Sequence, residues 1–86
     1  MVDRDEVLER VCEVVSDVLG VSIAEITPGS RFVEDLGAES IQSVELVAAF
    51  EEEFDIEMDE DAALQVQSVG GAVDFIAEYI DEEEGE

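Results

Sequence analysis

A chain of 86 residues has room for one domain with a thin core, and not for a deep, water-excluding active site. Its 26 acidic residues face three arginines, with no lysine and no histidine; the formal net charge of -23 repels nucleic acid and anionic membranes and draws basic protein surfaces inward. A hydrophobic share of 47% argues against disorder over most of the length.

The first helix is expected over residues 3–19. Val7, Leu8, Val11, Val14, Val15, Val18 and Leu19 recur at three- and four-residue spacing. Asp3, Asp5 and Glu6 suit the positive end of its dipole, and Gly20 supplies a stop. Valine is a poor intrinsic helix former, so this helix depends on packing. Cys12 falls within the apolar pattern and reads as a buried structural thiol.

Residues 20–39 read as one long connection, with Thr27-Pro28-Gly29-Ser30 as a turn signal and a short helical turn around residues 23–26. Ile23, Ile26, Phe32, Val33 and Leu36 are expected to add to the core. A second helix follows over residues 40–54. Ile41, Val44 and Ala48 share one side of it, Val47, Phe50 and Phe54 another, so one side can face the core while the other meets a partner. Residues 55–68 form a second connection with a short helix near 61–64. The last helix runs over residues 69–80, capped by Ser68 and softened by Gly70 and Gly71.

The fold class expected is therefore all-α: a small antiparallel bundle of three main helices plus a short fourth, with a long first loop. One domain spans residues 1–80, and residues 81–86 form an acidic, frayed tail. Residues 1–10 carry four acids and no apolar run, and no stretch approaches a membrane span. No signal peptide and no membrane insertion are expected, and a single cysteine suits a reducing cytoplasm. Self-repulsion favours a monomer.

Catalytic sets are missing. Without histidine there is no Ser-His-Asp or Cys-His arrangement and no His-containing zinc site. The phosphate-cradling and dinucleotide glycine signatures are absent too. Asp55, Glu57, Asp59, Glu60 and Asp61 do not match the spacing of a calcium loop, so no metal site is expected. The chain does not read as an enzyme.

One stretch carries a specific signal: Asp35-Leu36-Gly37-Ala38-Glu39-Ser40-Ile41, then Val44-Glu45-Leu46-Val47 and Glu51-Glu52-Glu53-Phe54-Asp55-Ile56-Glu57, resuming at Ser68-Val69 and Ala72-Val73-Asp74-Phe75-Ile76. In these residues the chain resembles the acyl carrier protein family used for fatty acids and related lipids, over nearly its whole length. The resemblance implies that a carrier protein synthase (a phosphopantetheinyl transferase) moves 4'-phosphopantetheine from coenzyme A onto Ser40, and that the arm's thiol carries acyl intermediates as thioesters. It also implies acyl-transferring and chain-elongating enzymes as partners, docking on the second helix. Asp35, Glu39, Ile41, Val44, Glu45, Ala48, Glu51 and Glu52 would make that surface. The acyl cargo would slip between the helices, against Val11, Val15, Phe32, Leu36, Leu46, Val47, Ile56, Met58 and Ile76.

The physics is compatible with this. A serine where a loop meets a helix is exposed, and a phosphate there is favoured by the helix amino end. Gly37 lets the loop turn tightly beside it. Charged rims speed encounter, which suits a shuttle visiting many enzymes.

The chain departs from the family pattern at Glu39 (usually aspartate), Ile41 (usually leucine), Gln42 (often an acid) and Ala48 (often methionine). Glutamate is a poorer cap than aspartate, so the start of the second helix is expected to be looser. Primary fatty acid synthesis and a specialised pathway for unusual acyl chains, envelope lipids or polyketides both remain open. The alternative from another class is an unmodified acidic helical protein that docks on basic partners and carries nothing.

Overall fold

The computed structural model describes residues 3–84. Four helices follow one another: α1 (Arg4–Leu19), α2 (Ser40–Phe54), α3 (Glu60–Leu64) and α4 (Val69–Glu84), with a 3-10 turn at Ile23–Glu25 inside the first connection. The result is the small all-α bundle expected, and among the described residues the only extended pairing is an isolated bridge between Arg31 and Ser68. α1 packs on both α2 and α4, while α3 lies against α2.

The helix ends follow local chemistry. The Asp3 carboxylate accepts the Asp5 N–H at 2.9 Å, closing the start of α1. Gly20, at φ +70°, ends it by donating its N–H to the Ser16 carbonyl at 2.9 Å. Ser68 caps α4 as expected, its Oγ accepting the Gly71 N–H at 3.0 Å. α4 continues to Glu84, four residues beyond the end read from the sequence. The run after Ile80 contains no glycine or proline before residue 85, and glutamate is a good helix former. The remainder of the expected tail, residues 85 and 86, lies outside the described residues.

The core draws on every element. Val7, Val11, Val14 and Val15 meet Leu46, Val47, Phe50 and Phe54 of α2 and Val69, Ala72, Val73 and Ile76 of α4. Ile56, Met58 and Ala63 close it from the second connection and α3. Cys12 is half-buried rather than buried, and partial desolvation pushes its thiol pKa up.

The first connection is stitched down rather than slack. The Phe32 N–H donates to the Gln67 carbonyl and the Val69 N–H to the Ser30 carbonyl, each at 2.9 Å. Ile26 and Phe32 are buried and Leu36 is half-buried, as expected. Ile23 and Val33, expected inside, stand 52% and 61% exposed. Residues 31–36 wind into a tight turn in which the Leu36 N–H reaches back to the Arg31 carbonyl, so neighbours Phe32 and Val33 cannot both face the core.

The cations bind elements together. Arg4 pairs with Asp74 across α1 and α4. Arg10 donates to Glu53 Oε2 at 2.9 Å and lies over the Phe54 ring, 4.6 Å from its centroid, tying α1 to the carboxyl end of α2.

Candidate functional site

Ser40 is the first helical residue of α2 and is exposed. The N–H groups of a first helical turn have no intrahelical acceptor, so they face whatever lies at the helix start. Glu39 occupies the cap position in extended conformation and closes a capping box with Gln42: its side chain faces the Gln42 backbone N–H, and Gln42 reaches back so that its Oε1 accepts the Glu39 N–H at 2.9 Å. The neutral Gln42 therefore holds the loop against the helix start. This role escaped the sequence reading, although the spacing of Glu39 and Gln42 is that of a capping box.

The loop before Ser40 is built for the same junction. Gly37 has φ +74°, a conformation that a side chain would strain. The Ala38 N–H donates back to the Phe32 carbonyl at 2.8 Å, closing the turn over the buried Phe32 ring. Asp35 is exposed, and its carboxylate accepts the Arg31 N–H at 2.8 Å. That hydrogen bond, reinforced by the Arg31 guanidinium, holds the Asp35 pKa below the usual carboxylate value.

The exposed face of α2 is the one the spacing indicated. Ile41 and Val44 are 68% and 46% exposed, large values for branched apolar residues, and Ala48 is exposed beside them. Glu39, Glu45 and Glu52 are exposed around this strip. Glu51 differs: it is half-buried, and its Oε2 accepts the Met58 N–H at 2.8 Å. Asp35 and Glu51 thus hold the chain's own loops, and Glu39 takes part in the capping box of α2.

Two neighbouring spaces lie beside α2. A groove of about 320 Å³ runs between the loop at Arg31–Glu34 and the segment Leu64–Gln67. A core cavity of about 30 Å³ lies between α2, α3 and α4. Phe32, Ser43, Leu64 and Val66 line both and form the partition. Of the residues expected around a cargo, Phe32, Leu46, Val47, Met58 and Ile76 line the cavity. Val11, Val15, Leu36 and Ile56 do not. The first two are fully buried in the solid seam between α1 and its neighbours. Phe50, Ala63, Leu64 and Phe75 take part instead. Five residues of α3 are too few to display a period, which hid Ala63 and Leu64 from the sequence reading.

Among the described residues no group of three or more acidic or thiol side chains is placed to hold a metal ion. No described helix is long and apolar enough to cross a membrane.

Known proteins agree with this geometry. The family described as a phosphopantetheine attachment site matches residues 9–76. The acyl carrier protein of Phenylobacterium zucineum is 52% identical over 75 residues, covering 87% of this chain and 95% of that protein. That of Caulobacter vibrioides is 51% identical over 73 residues, covering 85% and 94%. The chain belongs to the acyl carrier protein family: it has the phosphopantetheine attachment domain of that family and is a carrier, not an enzyme.

The start of α2 suits such an arm. An exposed hydroxyl on the first helical residue, at the positive end of the α2 dipole, suits a phosphodiester, and Ser43 one turn on lines a groove.

Proposed function

We propose that the arm is attached at Ser40 and that the protein carries acyl intermediates for the biosynthesis of fatty acids or related lipids. The observation that carries this reading is the exposed Ser40 hydroxyl at the start of α2, one turn before Ser43 in the wall of the groove. In the loading step the Ser40 oxygen attacks the coenzyme A phosphate that bears pantetheine. A phosphodiester forms, the pyrophosphate P–O bond breaks, adenosine 3',5'-bisphosphate leaves, and the hydroxyl proton passes to the synthase or to solvent. Once attached, the arm supplies a terminal thiol on which an acyl group is held as a thioester.

This chain's residues orient and protect. The α2 amino end stabilises the phosphate charge, and Gln42 and Gly37 hold the loop so that Ser40 stays outward. The cavity of about 30 Å³ is too small for a hydrocarbon chain, which must therefore displace lining side chains, with the pliable Met58 among them. Each methylene moved out of water contributes about 0.8 kcal/mol toward that opening. Ile41, Val44 and Ala48, rimmed by Glu39, Glu45 and Glu52, dock basic enzyme surfaces, the synthase and the acyl-transferring and chain-elongating enzymes among them. Residues 1–80 form the carrier domain in this reading, with 81–86 an acidic extension, and the protein works as a cytoplasmic monomer.

The test is the intact mass after incubation with coenzyme A, magnesium and a broad-range carrier protein synthase. The native protein is expected to gain one phosphopantetheinyl group and Ser40→Ala none. No gain in folded, previously unmodified native protein would favour an acidic docking protein without cargo.

A further inference from the structure

The turn before Ser40 places the third arginine of the chain among its acids. Arg31 pairs with Glu34, and its Nε lies 3.5 Å from Asp35 Oδ2. The other two arginines are taken up between helices, Arg4 with Asp74 and Arg10 with Glu53. From residue 31 to residue 45, Arg31 is thus the only cation against Glu34, Asp35, Glu39 and Glu45.

The guanidinium is not what holds this turn together. The Arg31 N–H donates to Asp35 Oδ2 at 2.8 Å, the Asp35 N–H donates to the Arg31 carbonyl at 2.9 Å, and the Phe32 N–H is fixed to Gln67. All three donors belong to the main chain and persist without the arginine side chain. The charged side chains of Arg31, Glu34 and Asp35 are about half exposed, where solvent and salt screen an ion pair and it contributes little to stability. What the pairing changes is the field outside the turn, where one positive charge offsets two negative ones.

The turn otherwise has the make-up of the α2 docking strip. Val33 is 61% exposed beside Glu34 and Asp35, as Ile41 and Val44 are exposed beside Glu39 and Glu45. The two surfaces adjoin, because Arg31, Val33 and Glu34 line the groove that Ser43 of α2 also lines. Both contacts from Arg31 to Asp35 use Oδ2, so Oδ1 can take a cation from outside while the turn stays closed.

Building on the reading of the α2 face as the surface that meets basic enzymes, we propose that the Arg31–Asp35 turn is a second docking patch for a basic protein surface, masked in the free protein by Arg31. A partner's lysine or arginine that reaches Glu34 and Asp35 must displace the guanidinium. That exchange lowers affinity by about two- to fivefold, the range of one exposed ion pair. The mask favours partners that bring several cations to the turn over those that bring one, and it keeps docking weak enough for rapid exchange.

The test is the affinity for a broad-range carrier protein synthase, titrated calorimetrically at low salt and without coenzyme A, after circular dichroism has shown each variant to be helical. Arg31→Gln is expected to bind about two- to fivefold more tightly than the native chain. Arg4→Gln makes the same change in net charge between α1 and α4 and should bind like the native chain. Equal tightening in both variants would reduce the effect to net charge and overturn the proposal, as would no tightening in Arg31→Gln. Asp35→Asn should weaken binding more in the Arg31→Gln chain than in the native one, because the mask already hides part of that charge. Equal effects in the two backgrounds, the behaviour of independent side chains, would also overturn it. Loading of the arm is read separately by mass, so failure of attachment at Ser40 and failure of this inference are distinct results.

Discussion

The Gly70 N–H donates to the Pro28 carbonyl at 2.8 Å, and a Cβ placed on residue 70 would stand 2.8 Å from that same oxygen. The first turn of α4 and the Thr27–Ser30 turn touch backbone to backbone, and only a glycine allows it. Read from the sequence alone, Gly70 only softens a helix. In the fold it is one of three backbone contacts, with Phe32–Gln67 and Val69–Ser30, that anchor the long first connection and place Phe32 under the site.

Gly70→Ala is accordingly expected to destabilise the protein by about 1–3 kcal/mol, the range for overpacking, despite alanine's better helix propensity. Gly71→Ala meets only side-chain atoms, Ser68 Oγ at 3.1 Å and Val66 Cγ1 at 3.2 Å, and should lie near neutral. Urea unfolding midpoints of the two variants decide this. Equal midpoints would mean that the Pro28 backbone yields.

Gln42→Ala removes the acceptor of the Glu39 N–H and should cost about 0.5–1 kcal/mol, as a lost cap does. Glu39→Asp should move stability the other way by a few tenths of a kcal/mol, because the shorter side chain caps better. The same urea experiment measures both, and a silent Gln42→Ala would show that the back-bond contributes nothing net.

Asp55 ends α2 at φ +53°, the only non-glycine residue among those described with positive φ. The left-handed conformation costs a side-chain-bearing residue roughly 1 kcal/mol, and a negative charge at a helix carboxyl end adds to it. Asp55→Gly should therefore raise the thermal midpoint, by a stabilisation of about 0.5–1 kcal/mol at most after glycine's greater chain entropy is counted. A lowered midpoint would point to an undetected role for the carboxylate.

The Arg31–Asp35 turn should be acid-sensitive. The folded-state pKa of Asp35 is lowered, so its contribution is present above the unfolded value of about 3.9 and is lost as pH falls through the folded value. The stability difference between native protein and Asp35→Asn should thus be seen near neutrality and vanish in strong acid. A difference that grows on acidification would contradict the assignment.

Much of this protein was legible in the sequence because its information is local. The apolar spacing of α1 and α2, the acids at the start of α1, the stop at Gly20 and the cap at Ser68 specify helices through neighbours a few residues away. The two faces of α2 separate by the same rule, with Ile41 and Val44 outward and Val47, Phe50 and Phe54 inward. The motif from Asp35 to Ile41 marked the family for the same reason, since a loop, a glycine and a serine at a helix start are contiguous.

The tertiary structure alone decided the rest, because it depends on which distant segments meet. Phe32 turns in and Val33 out in a connection with no period to read. Glu51 holds the Met58 N–H, and Gly70 accommodates the Pro28 carbonyl, through contacts that spacing along the chain does not encode. The cavity lies where α2, α3 and α4 converge, so α1 valines equal in pattern to the rest stay outside it. Ser43 is a plain helical serine in sequence; the arrival of Leu64 and Val66 beside it makes it the boundary between groove and core.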